Sequence, residues 1–229
     1  MKFLPTTKEE MKSLGWDSID VLLISGDTYL DTSYNGSALV GKWLVEHGFK
    51  VGIIAQPEVD VPDDITRLGE PNLFFAISGG CVDSMVANYT ATKKRRQQDD
   101  FTPGGENNKR PDRAVLVYSN MIRRFFKGTT KKIVISGIES SLRRITHYDY
   151  WTNKLRKPTL FDAKADILSY GMGEMSMLQL ANALKNGEDW QNIRGLCYLS
   201  KEPKEGYLSL PSHSDCLADK DKFIEAFHT

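Results

Sequence analysis

The chain has 229 residues, 40% of them apolar and 26% charged, with 18 Gly and 9 Pro, which suits one sizeable folded domain and excludes collagen-like, low-complexity and wholly disordered chains. Net charge is zero, yet residues 93–157 hold 17 basic against 6 acidic side chains and the remainder 13 against 24, a +11 middle between −11 flanks. Such a middle suits an anionic ligand or an acidic partner, and most simply the protein's own flanks.

Residues 19–25 read as a first strand, a short apolar run stopped by Gly26. Residues 36–48 place Ala38, Leu39, Val40, Trp43, Leu44 and Val45 near helical spacing, with His47-Gly48 as the stop. Residues 51–55, 72–78, 132–136 and 166–170 supply four more buried-looking strands, and residues 114–126 and 174–185 two more helices. Continuous apolar strands alternating with helices predict an α/β fold, a doubly wound Rossmann-like three-layer sandwich around a mostly parallel sheet. Strand order stays open. Residues 1–193 are expected to form this domain, with 92–113 as a long polar, basic loop insertion carrying Lys93-Lys94-Arg95-Arg96. Residues 194–229 are expected to form a small appendage of strands near 195–200 and 206–210 and a helix over 219–227, leading into a further domain.

Four strands end in glycine-bearing turns: Ser25-Gly26-Asp27, Ser78-Gly79-Gly80, Ser136-Gly137-Ile138-Glu139-Ser140-Ser141 and Tyr170-Gly171-Met172-Gly173-Glu174. In a parallel sheet these turns share the carboxyl edge, where open α/β sheets bind ligands. Glycine admits close backbone approach, and the following helix N-termini favour anions. Asp27, Tyr29, Ser78, Gly79, Gly80, Gly137, Glu139, Ser140, Gly171 and Gly173 are therefore candidate cofactor-binding residues. No GxGxxG follows the first strand and no GxxxxGK[ST] occurs, which disfavours classical NAD and P-loop nucleotide binding.

Residues 138–151 are the densest polar and aromatic stretch. Ser140 or Ser141 as a cap predicts a helix with Arg143 and His147, and Arg144 and Tyr148, at i,i+4. Glu139, Arg143, His147 and Asp149 would then make a phosphate grip with an acid/base pair, as in a stand-alone hydrolase or transferase. The favoured reading instead pairs the arginines with carboxylates and packs Tyr148, Tyr150 and Trp151 on a neighbouring domain. Arg143, Arg144, His147, Tyr148 and Asp149 are thus candidate domain-interface or substrate residues. Cys81, after Gly79-Gly80, sits where a helix N-terminus lowers a thiol pKa, but an inert buried thiol is the simpler reading. No CxxC, HxxxH, HExxH or acidic metal loop occurs, so neither a metal site nor a catalytic residue is assigned. Three scattered cysteines, no apolar run of about 20 residues and an N-terminus that turns charged at once point to a cytoplasmic protein without a membrane span.

Gly26-Asp27-Thr28-Tyr29-Leu30-Asp31, Gly52-Ile53-Ile54-Ala55-Gln56-Pro57, Phe101-Thr102-Pro103-Gly104-Gly105, Lys109-Arg110-Pro111-Asp112-Arg113, Ser141-Leu142-Arg143-Arg144 and His147-Tyr148-Asp149-Tyr150-Trp151 resemble the YgiQ-type family of radical S-adenosylmethionine (radical SAM) proteins. The resemblance runs from about Phe3 to about Glu188 and is loose from Arg194 onward. It implies that residues 1–193 are similar to the cobalamin-binding type of Rossmann-like domain that precedes a radical SAM barrel. The barrel's CxxxCxxC, which would bind a [4Fe–4S] cluster and S-adenosylmethionine, is not in these residues, so the chain looks like the front of a longer enzyme. Cobalamin domains often carry a His ligand after the first strand; Tyr29 stands at that position, which leaves cobalamin binding without its usual lower ligand. The implied function is an accessory domain that positions substrate or cofactor for its own radical SAM domain and is not catalytic alone. The alternative is a polyanion-binding module, for nucleic acid, built on the basic 93–157 region.

Overall fold

The computed structural model describes residues 3–31 and 35–229. Helix α1 (Lys8–Ser13) leads to strand β1 (Val21–Ser25), α2 (Gly36–Glu46), β2 (Val51–Ala55), α3 (Pro62–Thr66) and β3 (Phe74–Ser78). The short α4 (Ser84–Asn88) and a long connection precede α5 (Ala114–Phe125), β4 (Lys132–Ser136) and α6 (Gly137–Leu142). A small hairpin of β5 (His147–Asp149) and β6 (Lys154–Arg156) is followed by α7 (Thr159–Asp162), β7 (Ile167–Ser169) and α8 (Glu174–Asn186). Strand β8 (Leu196–Tyr198) and helices α9 (His213–Ala218) and α10 (Lys220–His228) come last.

Six strands form one sheet in the order β2-β1-β3-β4-β7-β8. The first five are parallel and β8 runs antiparallel to β7. The chain passes outward from β1 to β2 and returns to β3 on the other side, which puts the topological switch point between β1 and β3.

Both faces of the sheet are covered, which is why its strands read as unbroken apolar runs. Leu22 and Ile24 lie with Phe75, Ile77, Ile133 and Ile135 against Ile65 of α3 and Tyr118 and Ile122 of α5. The intervening Val21 and Leu23 lie with Phe74, Ala76 and Val134 against Leu44 of α2 and Met177, Leu180 and Ala181 of α8. Each such fully buried Leu, Ile or Phe contributes about 1.5–3 kcal/mol. Helix α2 starts where the Asn35 side chain accepts from Ala38 N, and α8 stops at Gly187 in the left-handed conformation.

The predicted α/β fold is the observed one, with three local differences. The strand expected over 206–210 does not form: Tyr207 and Leu208 stay 66% and 79% exposed, so no burial drives pairing, and Pro203 and Pro211 flank the stretch. The helix expected to carry Arg143, Arg144 and His147 on one face ends at Leu142. Ser136 is its N-cap residue, Arg143 N donates back to Ser140 O at 3.1 Å, and His147 opens β5 instead. The 92–113 connection carries no helix or strand, as its composition predicts, yet Asp99, Thr102, Asn107 and Arg110 within it are buried.

The turns after β1 and β3 touch. Gly26 N donates to Ser78 O at 2.9 Å, and a Cβ added at Gly26 would strike the Gly79 carbonyl. Gly26→Ala is expected to destabilise the fold by about 1–3 kcal/mol, read as a lower urea midpoint. Gly36→Ala, with nothing within 4 Å of its new methyl, serves as the control and should hold the wild-type midpoint. A wild-type midpoint for Gly26→Ala would mean the two turns are not packed together.

Candidate functional site

Ser25, Ser78 and Ser136 stand in register at the carboxyl ends of β1, β3 and β4. Ser169 ends β7, one step past the Ile135–Leu168 pair. Each follows its strand's α2- and α8-facing residue by two positions, so the four hydroxyls form a row across one face of the sheet. They are held locally. Ser25 Oγ accepts from Asp27 N at 3.1 Å and Ser78 Oγ from Gly80 N at 3.2 Å. Ser136 Oγ donates to Ile77 O at 3.1 Å, and Ser169 and Ser176 share a bond of 2.8 Å.

A cavity of about 220 Å³ opens above this row, under α2 and α8. Leu23, Val40, Ala76 and Met177 make its apolar walls, and Asp27, Asn35, Gly80, Cys81, Gly137, Gly171 and Gly173 line the remainder. Gly137 has φ 80°, and a side chain there would meet Ser78 Oγ at 2.7 Å, so glycine keeps this side of the cavity open.

Beside the cavity, the 92–113 connection folds onto the switch point. Arg110 Nη2 donates to Asp27 Oδ1 at 2.5 Å and lies 3.3 Å from Asp99 Oδ2, while Nε donates to Gly26 O at 2.9 Å. Gln56 Nε2 donates to Gly26 O and to Thr102 Oγ1, and Thr28 N donates to Phe101 O at 2.9 Å. Arg110 Nη1 and Tyr118 Oη are buried without a hydrogen-bond partner among the described residues. The other carboxylate oxygen of Asp27 accepts from Cys81 N at 2.6 Å. Burial, then the bond to Asp27 and its charge, push the Cys81 thiol up to about 12. The thiol is therefore unactivated, in keeping with the simpler sequence reading, because a carboxylate rather than an uncapped helix end faces the sulfur.

Glu139 is buried and serves two helix starts. Its Oε2 accepts from Ser84 N at 3.0 Å, the first residue of α4, and its Oε1 from Val115 N at 3.3 Å in the first turn of α5. The residue preceding α5, Arg113, makes no side-chain cap, so Glu139 supplies what the local sequence lacks. Burial, then the Asp83 charge, raises its pKa above the ordinary carboxylate value.

The other predicted residues are distributed as follows. Ser78, Gly80, Gly137, Gly171 and Gly173 line the cavity with Asp27. Gly79 lies against Gly26 and Glu139, and Ser140 is fully buried with no partner for its hydroxyl among the described residues. Tyr29 turns its ring into the α2 layer, and its hydroxyl accepts from Leu4 N at 2.9 Å. Arg143 is ion-paired with Asp83, and Arg144 donates to Ser141 O and stacks on Tyr170. His147 is buried, bonded to Ile145 O, and held below its ordinary pKa by burial. Asp149 pairs with Arg113 at 2.8 Å and with the Thr152 hydroxyl; burial opposes its ionisation, but these donors outweigh it and lower its pKa. Glu139, Arg143, His147 and Asp149 therefore each answer an internal partner and do not line the cavity. Arg144 and Tyr148 are the exposed members of the interface candidates, neither ion-paired among the described residues, and the Tyr148 hydroxyl donates to Asn153 Oδ1 at 2.7 Å. Sequence reasoning missed Arg110, Asp99, Gln56 and Thr102 as members of one buried network with Asp27, and Asp83 as the separate partner of Arg143. Phe101-Thr102 and Lys109-Arg110-Pro111-Asp112-Arg113 were visible as motifs, but their burial was not.

Among the described residues no group of three or more His, Cys, Asp or Glu can hold a metal ion, and no helix is long and apolar enough to cross a membrane.

A mostly parallel, doubly wound sheet with helices on both faces places the chain in the Rossmann-like class of α/β folds. The chain belongs to the Radical SAM N-terminal family, which matches residues 3–229 and so takes in the tail where the sequence resemblance was loose. It is 95% identical over 229 residues to a UPF0313 protein of Fusobacterium nucleatum subsp. nucleatum, covering 100% of this chain and 40% of that one. It is 52% identical over 227 residues to a UPF0313 protein of Thermotoga petrophila, covering 98% and 40%, and 49% identical over 232 residues to one of Methanocaldococcus jannaschii, covering 97% and 38%. The chain thus spans about 40% of the length of these curated relatives, as the front part of a longer protein. The radical SAM methyltransferase TsrM of Kitasatospora setae, solved with cobalamin and a [4Fe–4S] cluster, aligns at TM-score 0.53 and 17% identity over 80% of this chain and 28% of that one. Its structure with tryptophan and a SAM analog gives 0.52 and 16% over 79% and 28%. At such identity the likeness shows the shared Rossmann-like fold alone.

Arg110→Met strands two buried carboxylates and is expected to cost about 3–5 kcal/mol in urea unfolding, with Arg110→Lys recovering only part. Glu139 gives a pH signature. Its folded pKa lies above its unfolded one, so its contribution is complete below the unfolded value and is lost as pH rises through the folded value. The stability of wild type relative to Glu139→Gln should therefore fall as pH climbs from about 4.5; a pH-independent difference would refute the raised pKa.

Proposed function

We propose that this chain is the substrate- or cofactor-positioning front module of a radical SAM [4Fe–4S] protein and is not catalytic alone. The supporting observation is the surface around the cavity mouth. Leu30, Ile138, Leu142, Met172 and Met175 follow β1, β4 and β7 and are all exposed, Met172 at 89%. An apolar rim around a hydroxyl-lined cavity suits a docked neighbour better than open solvent. The relatives are long enough to supply it, and these 229 residues hold no CxxxCxxC. In this reading residues 1–193 are the module, with the basic 92–113 insertion closing over the switch point, and residues 194–229 lead toward the radical SAM domain. That domain, with its cluster and S-adenosylmethionine, supplies the radical chemistry; the present residues bind, orient and exclude water.

Cobalamin fits these residues poorly. No imidazole lines the cavity, the Tyr29 hydroxyl is engaged by Leu4 N, and burial raises its pKa, so it is no phenolate ligand. A cavity of about 220 Å³ also falls below the usual range of about 300–1,000 Å³ for ligand pockets. The hydroxyl row and the backbone N–H groups of the glycine turns suit a small polar group instead.

Hydrogen–deuterium exchange on a full-length relative and on this chain alone tests the docking. Residues 137–142 and 170–175 should be protected only in the full-length protein. Equal exchange in both would remove the reading of the rim as a domain interface.

A further inference from the structure

We infer that loop 89–96 and the β5–β6 hairpin together form a binding ledge for single-stranded nucleic acid, beside the carboxyl edge but outside the cavity. Three aromatic rings run contiguously there. Tyr89 and Trp151 have centroids 5.2 Å apart, and Trp151 and Tyr150 5.4 Å. Tyr148 and Tyr150 are 50% and 47% exposed, which is unusual for side chains that gain so much from burial.

The basic side chains of residues 93–157 divide by partner: Lys127, Lys131, Arg144, Lys154 and Lys157, like Lys93, Lys94 and Arg96 beside these rings, form no ion pair among the described residues. Lys109, Arg110, Arg113, Arg123, Arg124, Lys132, Arg143 and Arg156 all face carboxylates. Lys93, Lys94 and Arg96 are exposed and form no ion pair among the described residues. Arg95 makes only a long pair of 3.4 Å with half-exposed Asp112.

The ledge is built rather than loose. Tyr89 bridges Arg95 in antiparallel fashion, Thr90 N donates to Lys94 O at 2.8 Å, and Arg96 Nε is anchored on the Val86 and Tyr89 carbonyls. Tyr150 Oη donates to Ala91 O at 2.7 Å and Lys93 Nζ to Trp151 O at 3.3 Å, which fastens loop to hairpin. Lys93 Nζ also lies 4.6 Å from the Tyr150 ring centroid. Exposed rings for base stacking beside cations for phosphate are the two components of sequence-tolerant single-strand binding. Rings without cations would suit an apolar partner, and cations without rings any polyanion.

This inference does not depend on the rim docking to a neighbour. The test is fluorescence anisotropy of the 229-residue chain with a labelled short single-stranded RNA, the matching DNA, and heparin as a polyanion without bases. Binding at 50 mM salt should weaken about 50-fold at 200 mM if about four phosphates are contacted. Lys93→Gln combined with Lys94→Gln should flatten that salt slope by about 1.4. Tyr148→Ala and Tyr150→Ala should each weaken RNA about tenfold and leave heparin unchanged, whereas Tyr148→Phe, which keeps the ring and leaves the Tyr150–Ala91 bond in place, should bind like wild type. All these positions are exposed, and circular dichroism would confirm folding. Equal binding of RNA and DNA supports the inference for either sugar. No binding at 50 mM salt, or Tyr148→Ala and Tyr150→Ala variants that bind RNA as wild type does, overturns it.

Discussion

One buried guanidinium organises the carboxyl edge of this sheet. The Arg110 side chain is fully enclosed, and the carboxylates beside it, Asp27 and Asp99, are nearly so. Removing three charged groups from water is costly, and their mutual attraction offsets that cost only when geometry is tight and the remaining donors find acceptors. Here Nε reaches the Gly26 carbonyl and Nη2 serves the carboxylates while Nη1 stays without a partner among the described residues, so the condition is met only in part, and one side chain joins the end of β1 to a connection more than eighty residues downstream. An apolar residue of the same volume would fill the space without specifying which part of the 92–113 segment lies over β1. The ion pair therefore selects the loop's placement more than it deepens the fold's stability.

With that placement set, the two sides of the edge acquire different characters. Toward α3 and α5 the switch point is covered by the chain itself, through Arg110, Phe101 and Thr102. Toward α2 and α8 it stays open, and three of the four strand-ending serines, Ser25, Ser78 and Ser136, line the opening. Parallel strands in register place equivalent residues side by side, so four separate Ser endings become one polar strip. Asp27 belongs to both sides, lining the cavity while holding Arg110 and the Cys81 amide. A group bound in the cavity would thus meet a carboxylate whose orientation the loop determines.

The charge asymmetry resolves in the same way. Seven of the 17 basic side chains of residues 93–157 lie against acidic residues before or after that segment, namely Asp27, Glu58, Asp60, Asp83, Asp162 and Asp166. The positive middle is partly neutralised within the molecule, and Lys93–Arg96 stays solvent-facing together with Lys127, Arg144, Lys154 and Lys157. Glu139 shows the converse case. A carboxyl in a stretch that reads as a reactive cluster is engaged instead by backbone N–H groups at the starts of α4 and α5.

Much of this was legible in the chain. Apolar runs such as residues 51–55 and 132–136, closed by glycine turns, determined the strands, their parallel pairing and the edge where the turns collect, because burial on both faces imposes a continuous apolar pattern. Gly137 and Ser78 were marked as rim residues for the same local reason. What lay beyond reach was which polar side chains of 92–113 would be buried, and that α6 would end before Arg143. Both depend on partners distant in sequence, Asp27 for Arg110 and Asp83 for Arg143. Periodicity encodes contacts that repeat along an element. A single long-range ion pair repeats nowhere, so only the packed structure decided where those charges came to rest.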